Sequence, residues 1–357
     1  MGNQQGGAPK NEAVARRLAE YKKARKQKGA GVAVLKLDSC SLTDVDLDAV
    51  MAGKVGRDAQ EVMLQTNGLT RLPTVIGPGG WWRDVQFLCV SANALALLPA
   101  EVGGLTKLQE LNLNDNHLES LPSELFSGCT QLSVLHLNNN RLRALPSTIG
   151  NCQALKTLHV NGNELEELPE EMGQLASLSL FYANDNQLQS LPNSAANWCK
   201  LVKFYCNNNQ LEQLPEGIGQ GWQAIEKLYL NHNNFSEFPI EICSLGETLD
   251  ELFLNDNQLP NIPPEIGHLK NLNKLYLIGN KLTSVPVALT QLKFLELLYL
   301  NNNQIAHLPT ALDGGLQKLL FLELRENHLK SVPYCLHSLP KLKELHIDEG
   351  VLHDEDI

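Results

Sequence analysis

Six aromatic residues at regular spacing are the side chains of this sequence best suited to bind another molecule. They recur every 23 or 24 positions, each between two apolar residues, and are Tyr182, Tyr205, Tyr229, Phe253, Tyr276 and Tyr299. Tyrosine joins a large apolar ring to a polar tip and is enriched at the energetic centres of interfaces. Aromatic residues also favour strands and stack across them, so a purely structural role is the alternative. We predict that the six residues form a protein-binding surface.

Two histidines and three lysines extend this predicted surface. His136 and His159 hold the same repeat position before Tyr182, and Lys203, Lys227 and Lys274 each stand two residues before one of the tyrosines. A histidine pair can hold zinc, but no third Cys, His, Asp or Glu shares its position nearby, so we predict no metal site. The lysines favour a partner whose surface is acidic or of mixed charge.

No pattern in the sequence indicates a catalytic centre or a nucleic-acid interface. There is no GxxxxGK[ST], HExxH or GxSxG segment, the patterns typical of a nucleotide site, a zinc protease and a serine hydrolase. Residues 1–31 contain eight Lys/Arg and two Glu, whereas the whole chain has a net charge of −11, so the remainder is strongly acidic. Nucleic-acid binding relies on Lys and Arg to neutralise phosphates. We predict a non-catalytic protein that needs no cofactor and binds no nucleic acid.

A repeated motif, Leu-x-x-Leu-x-Leu-x-x-Asn-x-Leu-x-x-Leu-Pro, must position all of these residues. Its asparagines are Asn67, Asn93, Asn116, Asn140, Asn163, Asn186, Asn209, Asn233, Asn257, Asn280, Asn303 and Asn327. A proline stands six positions after every one of them. Repeats of this length and pattern are typical of leucine-rich repeats, in which each unit packs only on its neighbours.

The repeat predicts the architecture. Each L-x-L segment alternates as a short strand does, with its middle residue facing outward, and the asparagine amide can satisfy backbone groups where the chain leaves the strand. We predict an α/β solenoid, a leucine-rich-repeat horseshoe with a concave parallel β-sheet and short helical or 3₁₀ segments on its convex side. The domain is predicted over residues 32–352 with about 14 turns, followed by a short acidic tail at residues 353–357.

The first 31 residues form a basic N-terminal arm, for which the sequence predicts a helix over residues 11–28. Asn11 is a suitable N-cap, and Val14, Leu18 and Tyr21 share one side of the helix. The helix either caps the first turn of the solenoid or lies on a membrane surface. Gly2 is a candidate for lipidation by myristate, which anchors stably only beside a basic patch, although the sixth residue is Gly6 and not Ser or Thr.

Cysteine usage and hydropathy bear on the compartment. None of the eight cysteines forms a CxxC pair, and no apolar run approaches 18 residues. Proteins that keep scattered, unpaired cysteines are typically found in reducing compartments. We predict a cytoplasmic protein that is a monomer by itself, with peripheral membrane contact through the N-terminal arm as the alternative to a fully soluble form.

Individual repeats resemble those of a known group. Residues 145–150 (LPSTIG) and 262–267 (IPPEIG) resemble the LPxxIG units of the Ras-group intracellular leucine-rich-repeat proteins, such as the Ras suppressor and the Scribble and Erbin scaffolds. The start of the chain also resembles small, single-domain members that carry a lipid. The resemblance implies a scaffold or adaptor in signalling, with a small GTPase or phosphatase complex as partner. A structural subunit of a large cytoskeletal or organellar assembly is the alternative.

Overall fold

The computed structural model describes residues 11–26, 31–77, 79–332, 336 and 339–353. The chain divides into two compact units, the first ending at Leu178 and the second beginning at Ser179. Lipidation at Gly2 and the predicted tail from residue 354 onward lie outside the described residues, as do residues 27–30 of the N-terminal arm.

The first unit contains six parallel strands in chain order, with a short helix or 3₁₀ helix after several of them. Its strands are β1 (Val34–Lys36), β2 (Glu61–Met63), β3 (Phe87–Cys89), β4 (Glu110–Asn112), β5 (Val134–His136) and β6 (Thr157–His159). Its helices are α1 (Glu12–Arg25), α2 (Asp44–Ala52) and α3 (Ser123–Gly128), and its 3₁₀ helices are η1 (Ala100–Gly104), η2 (Ser147–Asn151) and η3 (Glu170–Gln174).

The second unit repeats the same arrangement with eight parallel strands in its sheet and a separate strand pair. The sheet strands are β7 (Leu180–Tyr182), β8 (Lys203–Tyr205), β9 (Lys227–Tyr229), β10 (Glu251–Phe253), β11 (Lys274–Tyr276), β12 (Leu297–Tyr299), β13 (Phe321–Glu323) and β15 (Glu344–His346). The separate pair is β14 (Ser331–Val332) and β16 (Leu352–His353). The helical segments are α4 (Ile218–Gly221), η4 (Asn193–Asn197), η5 (Ile240–Ser244), η6 (Pro264–His268), η7 (Val287–Gln291) and η8 (Thr310–Gly314).

Most of the three-residue strands bury only their middle side chain. In β4 and β5, Leu111 and Leu135 pair in register and are fully buried, whereas the flanking residues are half-buried. Leucine is buried at the equivalent place in most repeats because, within each compact unit, the stacked coils share an apolar interior. The predicted solenoid with parallel strands and short helical or 3₁₀ segments is confirmed.

The repeated asparagine ties each coil to the one before it. The Oδ1 atom of Asn140 accepts from the backbone N–H of Leu118 at 3.0 Å, and its Nδ2 donates to the carbonyls of Leu113 at 3.0 Å and Leu137 at 3.1 Å. Asn140 is buried, as are most of its equivalents. An apolar residue there would leave buried backbone groups unpaired, which costs about 1–3 kcal/mol for each group. This requirement explains why asparagine recurs at the position.

Helix α1 covers the start of the first unit. Val14, Leu18 and Tyr21 are buried on its inner side. Asn11 accepts from the first-turn amides as the N-cap and donates to the carbonyl of Cys40 at 2.7 Å. The Tyr21 hydroxyl donates to Asp58 at 2.7 Å. Because the apolar side of the helix packs on the protein, only its basic outer side faces solvent.

Candidate aromatic docking surface

The six aromatic residues predicted to bind a partner all lie in the second unit and form one continuous stack, here called the aromatic column. Their strands pair in register, so each ring stands beside the next. Successive ring centroids are 4.7, 4.4, 4.2, 4.2 and 4.4 Å apart, and the planes are 8° to 24° from parallel. The members, in order, are Tyr182, Tyr205, Tyr229, Phe253, Tyr276 and Tyr299.

Stacking determines which part of each ring is accessible. Neighbouring rings cover one another's faces, and every member of the aromatic column is half-buried. Burial raises the pKa of Tyr276 to about 12, with Tyr299 adding to the rise, and burial together with Tyr205 raises the pKa of Tyr182. These phenols are therefore neutral at pH 7. A partner would meet ring edges and neutral hydroxyls, while the stacking that the sequence allowed as the alternative is also present.

The stack changes position after Tyr299. Glu323 follows Tyr299 in the register, and the ring that stacks on Tyr299 is that of Phe321, two residues earlier, at 4.8 Å. Phe321 also meets the ring of His346 edge-on at 4.9 Å. Phe321 was not predicted to belong to the site, because it lies two residues before the repeat position that the tyrosines share.

A buried carboxylate organises the lysines beside the aromatic column. One oxygen of Glu251 accepts from Lys227 Nζ at 2.9 Å and from Lys274 Nζ at 3.0 Å, and the other accepts from the Tyr229 hydroxyl. Glu251 is only 5% exposed. Burial alone would raise the pKa of Glu251, but the hydrogen bonds from Tyr229 and the two lysines outweigh it and lower the pKa to about 2. Burial and the bond to Glu251 raise the pKa of Tyr229.

The three lysines predicted at this surface therefore have different environments. Lys203 pairs in register with Lys227. Glu251 pairs in register with Lys227 on one side and with Lys274 on the other. Two of the three lysines are thus paired with a buried carboxylate, Glu251, that was not among the predicted site residues. A signal existed, since Glu251 occupies the position at which β8, β9 and β11 carry lysine.

A second buried carboxylate, Glu323, lies near the end of the stack. Arg325 donates to both of its oxygens, from Nε at 2.7 Å and from Nη2 at 2.6 Å, and His346 Nδ1 lies 2.9 Å away. Burial would raise the pKa of Glu323, but these hydrogen bonds hold it below its usual range. Both carboxylates fix the side chains around them instead of offering free acidic groups.

His136 and His159, the remaining predicted site residues, stack on each other in the first unit. Their ring centroids are 4.7 Å apart, and His136 Nε2 lies 3.8 Å from Glu110. Burial, with the neighbouring His136 adding to it, lowers the pKa of His159 to about 4, and burial lowers the pKa of His136. Both imidazoles are neutral at pH 7. Within the ranges that the structure describes, no three His, Cys, Asp or Glu side chains are grouped to hold a metal ion.

A line of asparagines beside the aromatic column is occupied internally. In each case the side-chain Oδ1 accepts from the backbone N–H of the equivalent asparagine in the next repeat. The distances are 2.8 Å from Asn207 N–H to Asn184, 2.9 Å from Asn231 N–H to Asn207 and 2.8 Å from Asn255 N–H to Asn231. These amides continue the sheet's hydrogen bonding past the ends of the short strands. They support the surface that the rings and lysines form.

Comparison with known proteins agrees with this architecture. A leucine-rich-repeat family model matches residues 86–142, 106–165, 247–305 and 295–349, and a second leucine-rich-repeat model matches residues 224–245. No curated protein matches the sequence. Of the part of the chain that is described, no helix combines the length and apolarity required to cross a bilayer.

Several solved structures share the fold. A leucine-rich-repeat protein of Leptospira interrogans is 32% identical, with a TM-score of 0.71, covering 89% of this chain and 83% of its own. The ectodomain of the Arabidopsis thaliana receptor kinase GASSHO1/SCHENGEN3, solved with CASPARIAN STRIP INTEGRITY FACTOR 2, is 25% identical, with a TM-score of 0.65 and coverage of 84% and 42%. An internalin of Listeria monocytogenes is 20% identical, with a TM-score of 0.74 and coverage of 96% and 95%.

The repeat, the parallel strands and the matching family model define the class of protein. The chain belongs to the leucine-rich-repeat family. Leucine-rich repeats generally form non-catalytic domains that mediate protein–protein interaction through extended surfaces.

Proposed function

We propose that this protein is a non-catalytic scaffold or adaptor that binds a protein partner on the aromatic column and the lysines beside it. The observation that supports the proposal is the column itself, in which six stacked rings present half-exposed edges along one face of the second unit. Tyrosine supplies much of the binding energy at many interfaces because it combines apolar area with a hydroxyl. In the first unit, His136 and His159 are proposed as further partner-binding residues.

The rigidity of the surface favours binding. Association costs about 0.5–1.5 kcal/mol for each flexible side chain that it immobilises. Ring stacking holds the tyrosines, and Glu251 holds Lys227 and Lys274, before any partner arrives. Less conformational entropy is then lost on binding than from an equally large surface of free side chains.

The proposed setting is intracellular signalling. All seven cysteines within the described ranges are free thiols, which suits a reducing compartment. The LPxxIG units support membership of the Ras group, and through it a small GTPase or phosphatase complex as partner. The basic outer side of α1 would allow peripheral contact with an anionic membrane, with Gly2 as the site of a lipid. The Arabidopsis receptor was solved with a factor bound, which is consistent with a protein ligand here.

Proximity labelling of proteins around the wild-type chain and a triple variant tests the proposal. Tyr205, Tyr276 and Tyr299 are changed to Ala, and Tyr229 is kept because its hydroxyl bonds to Glu251. We expect a discrete set of labelled proteins to disappear while the far-ultraviolet circular dichroism spectrum is unchanged. The control variant carries Ala at the exposed residues Glu212, Gln213 and Glu237 and should label the same proteins as the wild type. Identical labelling by the tyrosine variant would refute the proposal.

A further inference from the structure

One register position crosses six neighbouring strands of the second unit and changes from charged to apolar along its length. From β8 to β13 its residues are Lys203, Lys227, Glu251, Lys274, Leu297 and Phe321. This line, here called the mixed row, runs two residues before the aromatic column on the same face of the sheet. One part of the mixed row carries three lysines and one acid, Glu251, and the other part consists of Leu297 and Phe321.

The two lysines on Glu251 form a preorganised pair. Both Nζ atoms lie within 3.0 Å of the same carboxylate oxygen, so they are no more than about 6 Å apart. An ammonium group has three N–H donors, and each lysine spends one of them on Glu251. The side chains of Lys227 and Lys274 are 28% and 36% exposed. One incoming carboxylate can therefore accept from both lysines at once, while Lys203 stands beside Lys227.

The apolar end of the mixed row is also partly open. Leu297 and Phe321 are register neighbours, and both are half-buried, whereas the leucines between them and the next outward residues, Leu298 and Leu322, are buried on the other face of the sheet. The ring of Phe321 is held between Tyr299 and His346. A partner's apolar side chain placed here would cover carbon surface that water now contacts.

We propose that the mixed row binds an extended segment of a partner protein that carries an acidic residue and, three or four residues away, a large apolar residue. This inference rests on the proposed function and specifies the partner's chemistry. Strands lie about 4.8 Å apart, so β12 and β13 are about 10 and 14 Å from Glu251 on β10. An extended chain advances about 3.3 Å for each residue, which gives the spacing. The acidic residue bridges Lys227 and Lys274, and the apolar residue covers Leu297 and Phe321.

Two further acids lie near the lysines, and replacing one of them tests the charge of the bound segment. Asp250 and Glu226 interact with this cluster, and burial together with Glu251 raises the pKa of Asp250. Because Asp250 repels an incoming carboxylate, changing it to Asn should strengthen the binding of an acidic segment. The same change would weaken the binding of a basic segment. The response of one variant therefore distinguishes the two partner charges.

Selection from a random peptide library displayed on phage, with the full chain as bait, tests the inference. We expect the enriched peptides to carry Asp or Glu three or four residues from Leu, Ile, Phe or Trp. A synthetic peptide of the enriched sequence should bind Asp250→Asn at least threefold more tightly than the wild type. Enrichment of Lys or Arg, no enrichment, or weaker binding to Asp250→Asn would each overturn the inference.

A triple variant locates the binding. Removing the two lysines alone would leave Glu251 with too few partners, so Lys227→Met and Lys274→Met are combined with Glu251→Gln. The peptide should bind this variant at least tenfold more weakly, with unchanged circular dichroism; unchanged affinity would overturn the assignment to the mixed row. Lys203→Glu alters no ion pair of Glu251. Unchanged affinity of the peptide for this variant would likewise overturn the assignment to the mixed row. The proposed function would survive if labelling still depended on Tyr205, Tyr276 and Tyr299.

Discussion

Glu251 shows how one side chain can organise a whole surface. Its carboxylate is buried yet ionised because a hydroxyl and two ammonium groups bond to it. The pKa of Glu251 is about 2 in the folded protein and about 4.5 when the chain is unfolded. The folded state therefore holds the proton less tightly. The resulting stability is fully present above pH 4.5 and is lost as the pH falls toward 2.

Glu251→Gln should remove this pH dependence. The wild type is expected to lose on the order of 2–3 kcal/mol of unfolding free energy from this residue between pH 5 and pH 2. The variant should be less stable than the wild type at pH 7, and the difference should shrink as the pH falls. Urea unfolding of both proteins at several pH values measures the difference in their unfolding free energies. A constant difference between the two proteins from pH 7 to pH 2.5 would show that Glu251 is not ionised through these contacts.

His159 gives a second titration with the same proton balance, because its pKa is also lower in the folded protein than its ordinary value. Its pKa is about 4 in the folded protein against an ordinary value of 6.5, first because it is buried and then because His136 lies beside it. Between these values the unfolded chain binds a proton that the folded chain does not, so stability falls as the pH drops from 6.5 to 4. Histidine NMR resonances should give a midpoint near 4 for His159. In His136→Asn the midpoint should rise but stay below 6.5; a wild-type midpoint at 6.5 would contradict this account.

At the scale of the element, the turn after each strand depends on its asparagine. Asn209 accepts from the backbone N–H of Leu188 at 3.0 Å and donates to the carbonyls of Ala183 at 2.9 Å and Asn207 at 3.1 Å. Asn209→Ala should lower the unfolding free energy by about 2–4 kcal/mol, because buried backbone groups lose their partners. Chemical denaturation measures the change. The neighbouring exposed residue Gln210, changed to Ala, should stay within about 0.5 kcal/mol of the wild type; equal effects of the two changes would count against the asparagine's role.

The elements were also the part of the structure most readily predicted from sequence. The L-x-L spacing places the strands, and the chemistry of the asparagine amide explains the turn, because both depend on residues within a single repeat. Glu251 and Phe321 were not predicted to be part of the site. Their roles come from contacts between neighbouring strands at a position two residues before the tyrosines. Identifying them requires comparison of every outward position across strands, together with the burial that only coordinates provide.

At the scale of the whole molecule, the chain is a leucine-rich-repeat protein whose second unit displays an unusually continuous surface of rings. The sequence located the aromatic column because the tyrosines share one repeat position. Whether such a column binds a partner depends on the chemistry of that partner, which no repeat spacing encodes. Stacking and the buried carboxylates hold the side chains of this surface in place, and a surface of fixed side chains loses little conformational entropy when it binds another molecule.

Site-specific photocrosslinking in the cells that express the protein tests the central claim most directly. A benzophenone amino acid is placed at Lys203, beside the aromatic column, and in a separate protein at Glu212, an exposed residue outside the strands and helices. A docking surface predicts a discrete, covalently linked partner from position 203 and none from position 212. A partner crosslinked only from position 212, or no adduct from position 203, would contradict the account.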